Sequence, residues 1–134
     1  MAELQDNVRK YLEEVHFAVI GTVNQDGTPH QTALWYELRG NEIIMNTGKG
    51  TKKVRNLKRD PRASVCVPGQ SKHVSIAGTV SFDEDDAHVL SDLTALAGRY
   101  AGKEAGPGIA QNIAKIPHVT LKLSIDRVST FGQI

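Results

Sequence analysis

The chain has 134 residues, 40% hydrophobic and 23% charged, with 16 Lys and Arg against 15 Asp and Glu for a formal charge of +1. That length fits one domain, expected over residues 1–134, and the even charge balance argues against a nucleic-acid coat or a membrane-surface protein. No apolar run approaches the roughly 20 residues of a membrane span, Met1 to Lys10 is too polar for a signal peptide, and the single Cys66 excludes an internal disulfide framework or a cysteine-based zinc cluster. The expectation is a soluble, cytoplasmic domain.

Leu4, Val8, Tyr11, Leu12 and Val15 recur at helical spacing and predict a short amphipathic helix. Phe17 to Val23 is apolar and β-branched, and Asn24-Gln25-Asp26-Gly27 then signals a hairpin. Thr28 to Leu38 reads as a second, longer strand, with Pro29 suited to a strand beginning. Arg39-Gly40-Asn41 turns the chain into a third strand, Glu42 to Thr47. After Gly48-Lys49-Gly50, Thr51 is a candidate N-cap for a helix over 52–59. Alternation then predicts strands over 62–67 and 73–82, separated by Pro68-Gly69.

Residues 83–101 make the clearest helix. Acidic residues 83–86 suit its N-terminus, Leu90, Leu93, Ala97 and Tyr100 form an apolar face, and Gly102 ends it. Residues 109–115 can add a turn or two of helix, and 119–125 and 127–131 read as closing strands. About six or seven strands, mostly consecutive, predict a mainly β fold: a small antiparallel barrel with attached helices. Such a barrel has no large interior cavity, so a ligand would bind in an external cleft or at a subunit interface.

The sharpest chemical feature is the segment from Gly48 to Leu57. Lys49, Lys52, Lys53, Arg55, Lys58, Arg59 and Arg62 crowd together with only Asp60 opposing them. Lys52 and Lys53 fall in the first helical turn, where a cation opposes the helix dipole by about 0.3–1 kcal/mol. An anion at that terminus removes the conflict, because free N–H groups, the Thr51 hydroxyl and two ammonium groups then converge on it. A phosphate is the natural candidate. The competing readings are a solvated basic helix and a nucleic-acid patch, although no aromatic residue interleaves the run. Walker and Rossmann glycine spacings are absent. Of Trp35 and Tyr36, strand alternation turns one toward the core and leaves the other able to flank a planar ligand. Histidines 16, 30, 73, 88 and 118 show no metal-ligand spacing, so no metal site is expected.

The runs FAVIGTVNQDGTPHQTALWYEL, IIMNTGKGTKKVRNLKRDPRASVCV and VSIAGTVSF resemble the flavin and deazaflavin split-barrel superfamily, whose founding relatives are the pyridoxamine 5′-phosphate oxidases. The phrase GTKKVRNLKRDPRASV is most similar to the deazaflavin (coenzyme F420)-dependent oxidoreductases within it. The resemblance is strong over residues 15–82, weak over 83–115 and general over 117–132. It implies a six-stranded Greek-key split barrel, acting as a homodimer with cofactor sites in grooves between subunits. By similarity, Thr32, Ala33, Leu34, Trp35 and Tyr36 run along the cofactor ring and ribityl chain. Asn46 and Thr47 contact its ring or phosphate side, Thr51, Lys52 and Lys53 clamp the phosphate, and His73 lies near the cofactor.

Two departures stand out. The oxidases carry an arginine and a lysine around the second strand, where this chain has Thr32 and Glu37, and their C-terminal substrate-binding arginine has no counterpart after Phe131. Pyridoxamine-phosphate oxidation itself is therefore not expected. The resemblance implies instead a hydride passed from C5 of reduced F420 to an enone, quinone or lactone, with Lys49, Arg55 and Lys58 facing the coenzyme's polyglutamyl tail. His73 and Tyr36 are the candidate proton donors. The alternatives are an FMN-dependent oxidoreductase and a non-catalytic carrier of flavin, deazaflavin or haem.

Overall fold

A computed structural model describes residues 3–134; Met1 and Ala2, where the polar opening segment begins, lie outside the described residues. The elements are α1 (Asp6–Glu13), β1 (Ala18–Val23), β2 (Pro29–Leu34), β3 (Glu37–Arg39), β4 (Glu42–Gly48), α2 (Lys52–Arg59), β5 (Arg62–Gly69), β6 (Lys72–Asp83), α3 (Asp86–Ala101), α4 (Gly106–Ile113) and β7 (His118–Phe131). Seven strands form one antiparallel sheet in the order β2-β1-β5-β6-β7-β4-β3.

The two edge strands, β2 and β3, are consecutive in the chain and joined only by Trp35 and Tyr36. Three peptide steps span at most about 11 Å, so the sheet must curl until its edges nearly meet. No hydrogen-bonded ladder joins them, and the barrel stays split. The long second strand expected from the sequence therefore divides at Trp35-Tyr36, and the count is seven strands where the resemblance implied six. The reason is tertiary: Tyr36 is fully buried, with its hydroxyl donating to Leu12 O at 2.7 Å, and Tyr100 occupies the backbone N–H and C=O of Tyr36 that a ladder would use. The closing segment differs in the opposite sense. One strand, β7, replaces the two expected, and Asp126 is the extra residue of a bulge between the Ala77–Arg127 and Gly78–Ile125 pairs. Gly78 sits at this seam, where a Cβ would lie 2.2 Å from Ser124 O.

The barrel interior is apolar, built from residues such as Ile20, Ile43, Met45, Val65, Ile76, Leu121 and Leu123. Helix α1 closes one end with Val8, Tyr11 and Leu12, and Tyr11 donates to Val67 O at 3.0 Å. The last carbonyls of a helix lack partners within it. Here Arg99 of α3 donates to the carbonyls of Leu12, Glu13 and Glu14.

Helix α3 lies against β4 and β7. It starts at Asp86, later than the acidic run suggested, because Asp85 is the N-cap and accepts from the His88 N–H at 3.0 Å. Its buried face is Val89, Asp92, Leu93, Leu96 and Ala97, while Leu90, expected inside, is exposed. Helix α4 packs back on it, and Gly106 approaches Gly98 so closely that a Cβ would meet Gly98 Cα at 2.9 Å.

Candidate functional site

Phe17, Ala33, Leu34, Trp35, Asn46, Leu93, Leu96, Ile113 and His118 line a cavity of about 350 Å³ between the sheet and the α3–α4 pair. That volume sits at the lower end of small-molecule sites, enough for a ring system but not for a whole dinucleotide-sized ligand. One wall is aromatic. Trp35 stacks on Tyr100 with ring centroids 5.0 Å apart and planes 8° apart, and Phe17 also stacks on Tyr100, at 5.6 Å. The Tyr100 hydroxyl holds the wall in place by bonding the backbone of His16 and Tyr36.

Asn46 Oδ1, in the cavity lining, is buried without a protein partner; Thr32 Oγ1 on β2 is likewise unpartnered, but Thr32 is not among the lining residues. An unmet buried acceptor or donor costs about 1–3 kcal/mol, so Asn46 Oδ1 is a candidate contact for a ligand in the cavity. Asn46 spends its other end in a chain. Its Nδ2 donates to Thr120 Oγ1 at 3.2 Å, Thr120 donates to Asp92 Oδ2 at 2.8 Å, and Arg39 Nη1 donates to Asp92 Oδ1 at 3.1 Å.

A second hollow of about 360 Å³, lined by Lys49, Asp86, Lys115 and His118 among others, shares His118 with the first. His118 pairs with Gly48 across β4 and β7, so the two hollows lead from Asn46 to the basic turn. His118 Nδ1 lies 2.6 Å from Ile116 O, and a carbonyl only accepts, so Nδ1 carries the proton and Nε2 is left as the free ring nitrogen. A larger hollow, about 820 Å³, lies along α3 residues such as Ala87, Ser91, Thr94 and Gly98; neither Asn46 nor the basic turn reaches it.

Helix α2 docks through Val54, Leu57 and Asn56, whose Nδ2 donates to Thr22 Oγ1 and Asn24 Oδ1. This fixes the helix with its basic residues outward. Thr51 is the N-cap residue, yet its side chain caps no N–H and instead donates to Gly48 O at 3.0 Å. The first turn holds no acid. Lys52 is exposed and Lys53 half-buried. Loss of solvent pushes the Lys53 ammonium below the usual lysine range, and no carboxylate offsets it. The neighbouring cations are already engaged. Lys58 and Lys49 share Glu84 at 3.2 and 3.9 Å, and Arg55 donates to Gly50 O. The cationic surplus expected for Lys49, Arg55 and Lys58 is therefore smaller than the sequence suggested.

The structure thus gathers Ala33, Leu34, Trp35 and Asn46 around one cavity, with Thr51, Lys52 and Lys53 past the end of the adjoining strand; Thr32 precedes Ala33 on β2 without lining the cavity. Thr47 is buried on the Met45 side of β4, opposite Asn46. The Tyr36 ring lies in the core, and burial raises its hydroxyl well above the usual phenol range, so it cannot reach the cavity as a proton donor. His73 stacks on Phe131 at 5.5 Å, at the far end of β7 from His118, and the structure does not bring it to this cavity within one chain. Three members of the site were not singled out from sequence: His118, Asp92 and Thr120. Only Pro117-His118 at a strand start gave any local signal. Among the described residues, no group of three or more His, Cys, Asp and Glu could hold a metal ion, and no helix is long and apolar enough to cross a membrane.

An open antiparallel sheet with its two edges joined by a two-residue link, and a ring-sized cavity leading to a basic turn, define the split-barrel class. The family model for pyridoxamine 5′-phosphate oxidase matches residues 4–132, and the chain belongs to that family. Solved structures with the same fold include the conserved hypothetical protein Rv2991 from Mycobacterium tuberculosis, 24% identical, with TM-score 0.82 over 98% of this chain and 86% of that one. An F420 reductase is 23% identical, with TM-score 0.76 over 94% of this chain and 98% of that one. HutZ, a haem storage protein from Vibrio cholerae, is 15% identical, with TM-score 0.73 over 97% and 94%. No curated protein matches this chain in sequence.

Proposed function

We propose that this protein is an F420-dependent oxidoreductase that reduces an electron-poor conjugated small molecule of the enone, quinone or lactone type. The observation that carries this reading is the pairing of a ring-sized aromatic cavity, holding an unmet amide oxygen, with a helix start bearing the unpaired, half-buried Lys53. When bound, the reduced deazaflavin supplies a hydride from its C5. The chain's residues do the rest. Phe17 and Trp35 wall the ring site and exclude water, and Asn46 offers a hydrogen-bonding atom to ring or ribityl groups. Thr51, Lys52 and Lys53 hold the phosphate at the start of α2. His118, with Nδ1 committed to Ile116, offers Nε2 as the group that can carry a proton. In this reading the protein works as a homodimer, and His73 reaches a cofactor only across the subunit boundary.

One observation favours a second reading. Because Glu84 occupies Lys49 and Lys58, the cations left free suit a single phosphate as well as a polyanionic tail, which suits FMN on the same fold. An anaerobic assay decides between them: protein with reduced F420 or reduced FMN, and a panel of menadione, cyclohexenone and a butenolide, following cofactor reoxidation. Protein-dependent reoxidation with F420 is the expected result. Turnover with FMN alone moves the protein to the second reading. Binding of either cofactor or of haem with no turnover makes it a carrier.

A further inference from the structure

The hydrogen-bond chain behind the cavity has only one consistent direction. Asp92 is a carboxylate in an ion pair with Arg39, so it accepts at both oxygens: Oδ1 from Arg39 at 3.1 Å and Oδ2 from Thr120 at 2.8 Å. The Thr120 hydroxyl has one proton, and it is spent on Asp92. Thr120 Oγ1 must then act as acceptor toward Asn46, which turns the Asn46 NH₂ toward Thr120 at 3.2 Å and leaves Oδ1 without a partner. Thr120 is fully buried and Asp92 nearly so, so water does not scramble the order.

We propose that Asp92 is a positioning residue that sets the polarity of the ligand site through Thr120. It fixes Asn46 so that the cavity presents a hydrogen-bond acceptor and selects a ring with an N–H donor. This rests on the reading of the cavity as a flavin or deazaflavin site. Oxidised flavin and deazaflavin rings share one such donor, N3–H. The role falls to a residue of α3 that touches no ligand.

Asp92→Asn tests this with almost no change of shape. Arg39 only donates, so it holds the carbonyl oxygen of the introduced amide and turns that amide's NH₂ toward Thr120. Thr120 then accepts from the side chain at position 92 and donates to Asn46 Oδ1, and Asn46 presents its NH₂ to the cavity. Two readouts follow. In isotope-labelled protein without ligand, the Asn46 side-chain amide signals are expected to move in Asp92→Asn; unmoved signals overturn the relay, whatever the protein binds. In titrations with FMN and 3-methyl-FMN, which lacks the N3 donor, wild type is expected to favour FMN by about three- to tenfold, the scale of one neutral hydrogen bond. The preference is expected to vanish or invert in Asp92→Asn, and to vanish in Thr120→Val. An equal preference in all three proteins overturns the proposal. A moved amide signal with no binding of FMN or F420 supports the relay and rejects the cofactor reading.

Discussion

The inside of the barrel and the face beneath α3 are built on opposite plans. Inside, Ile20, Met45, Ile76 and Leu123 pack with 0–1% exposure, and the tyrosine hydroxyls at the closed end are both used, Tyr11 on Val67 and Tyr36 on Leu12. Beneath α3, the second apolar cluster has only Val89, Leu93, Ala97 and Ala110 as fully buried members. It surrounds a cavity and shelters an amide oxygen with no partner. Burial of apolar surface stabilises a fold, and an unmet buried polar atom costs it. The first region carries stability, and the second gives some up to leave room for a ligand.

This contrast can be broken most strongly from the barrel side. Ile76→Ala removes a buried side chain at the centre of β6 and is expected to cost about 2–5 kcal/mol in denaturant unfolding. Cofactor affinity per folded molecule should not change; a large loss would mean the two regions are not separate. From the site side, Lys53→Ala should do the reverse. A charge-assisted contact to phosphate is worth about 1.5–3 kcal/mol, so affinity is expected to fall about ten- to a hundredfold. The melting temperature should hold or rise, because a desolvated cation has been removed.

Glu84→Gln sharpens the comparison between cofactors. It frees Lys49 and Lys58, whose exposed pairs are each worth no more than about 1 kcal/mol. Affinity for F420 should rise a few-fold while that for FMN stays level; equal changes would place the tail elsewhere. The smallest effect belongs to the start of α3. A hydrogen bond to Asp83 raises the His88 imidazolium above its usual range, so its contribution is complete below about pH 6.5 and fades as pH rises through the folded value. His88→Gln should lower the melting temperature slightly at pH 5 and not at pH 9, and a loss at both would reject the ion pair as its cause.

Much of the barrel was legible because strand alternation and turn residues are local signals. The hairpin at Asp26-Gly27 and the break near Asp126 both appear, the latter as a bulge and not as a gap. The division of the second strand at Trp35-Tyr36 was not legible, since it depends on Tyr100, 64 residues away. The same holds for the site. The basic turn at Thr51–Lys53 announced itself through a conflict with the helix dipole. Asp92 looked like one more polar residue on a helix, and only the packing of α3 on β7 makes it a partner of Thr120.

Trp35 is the only tryptophan in the sequence and it lines the cavity, so its emission reports on that cavity alone. The most direct test is to titrate wild type and Lys53→Ala with F420 and follow Trp35 fluorescence. The account predicts saturable quenching in wild type and a curve shifted at least about tenfold to higher concentration in the variant. Saturable quenching with the same midpoint in both would contradict a ring beneath α3 with its phosphate at the start of α2, and no quenching in wild type would remove F420 from the cavity.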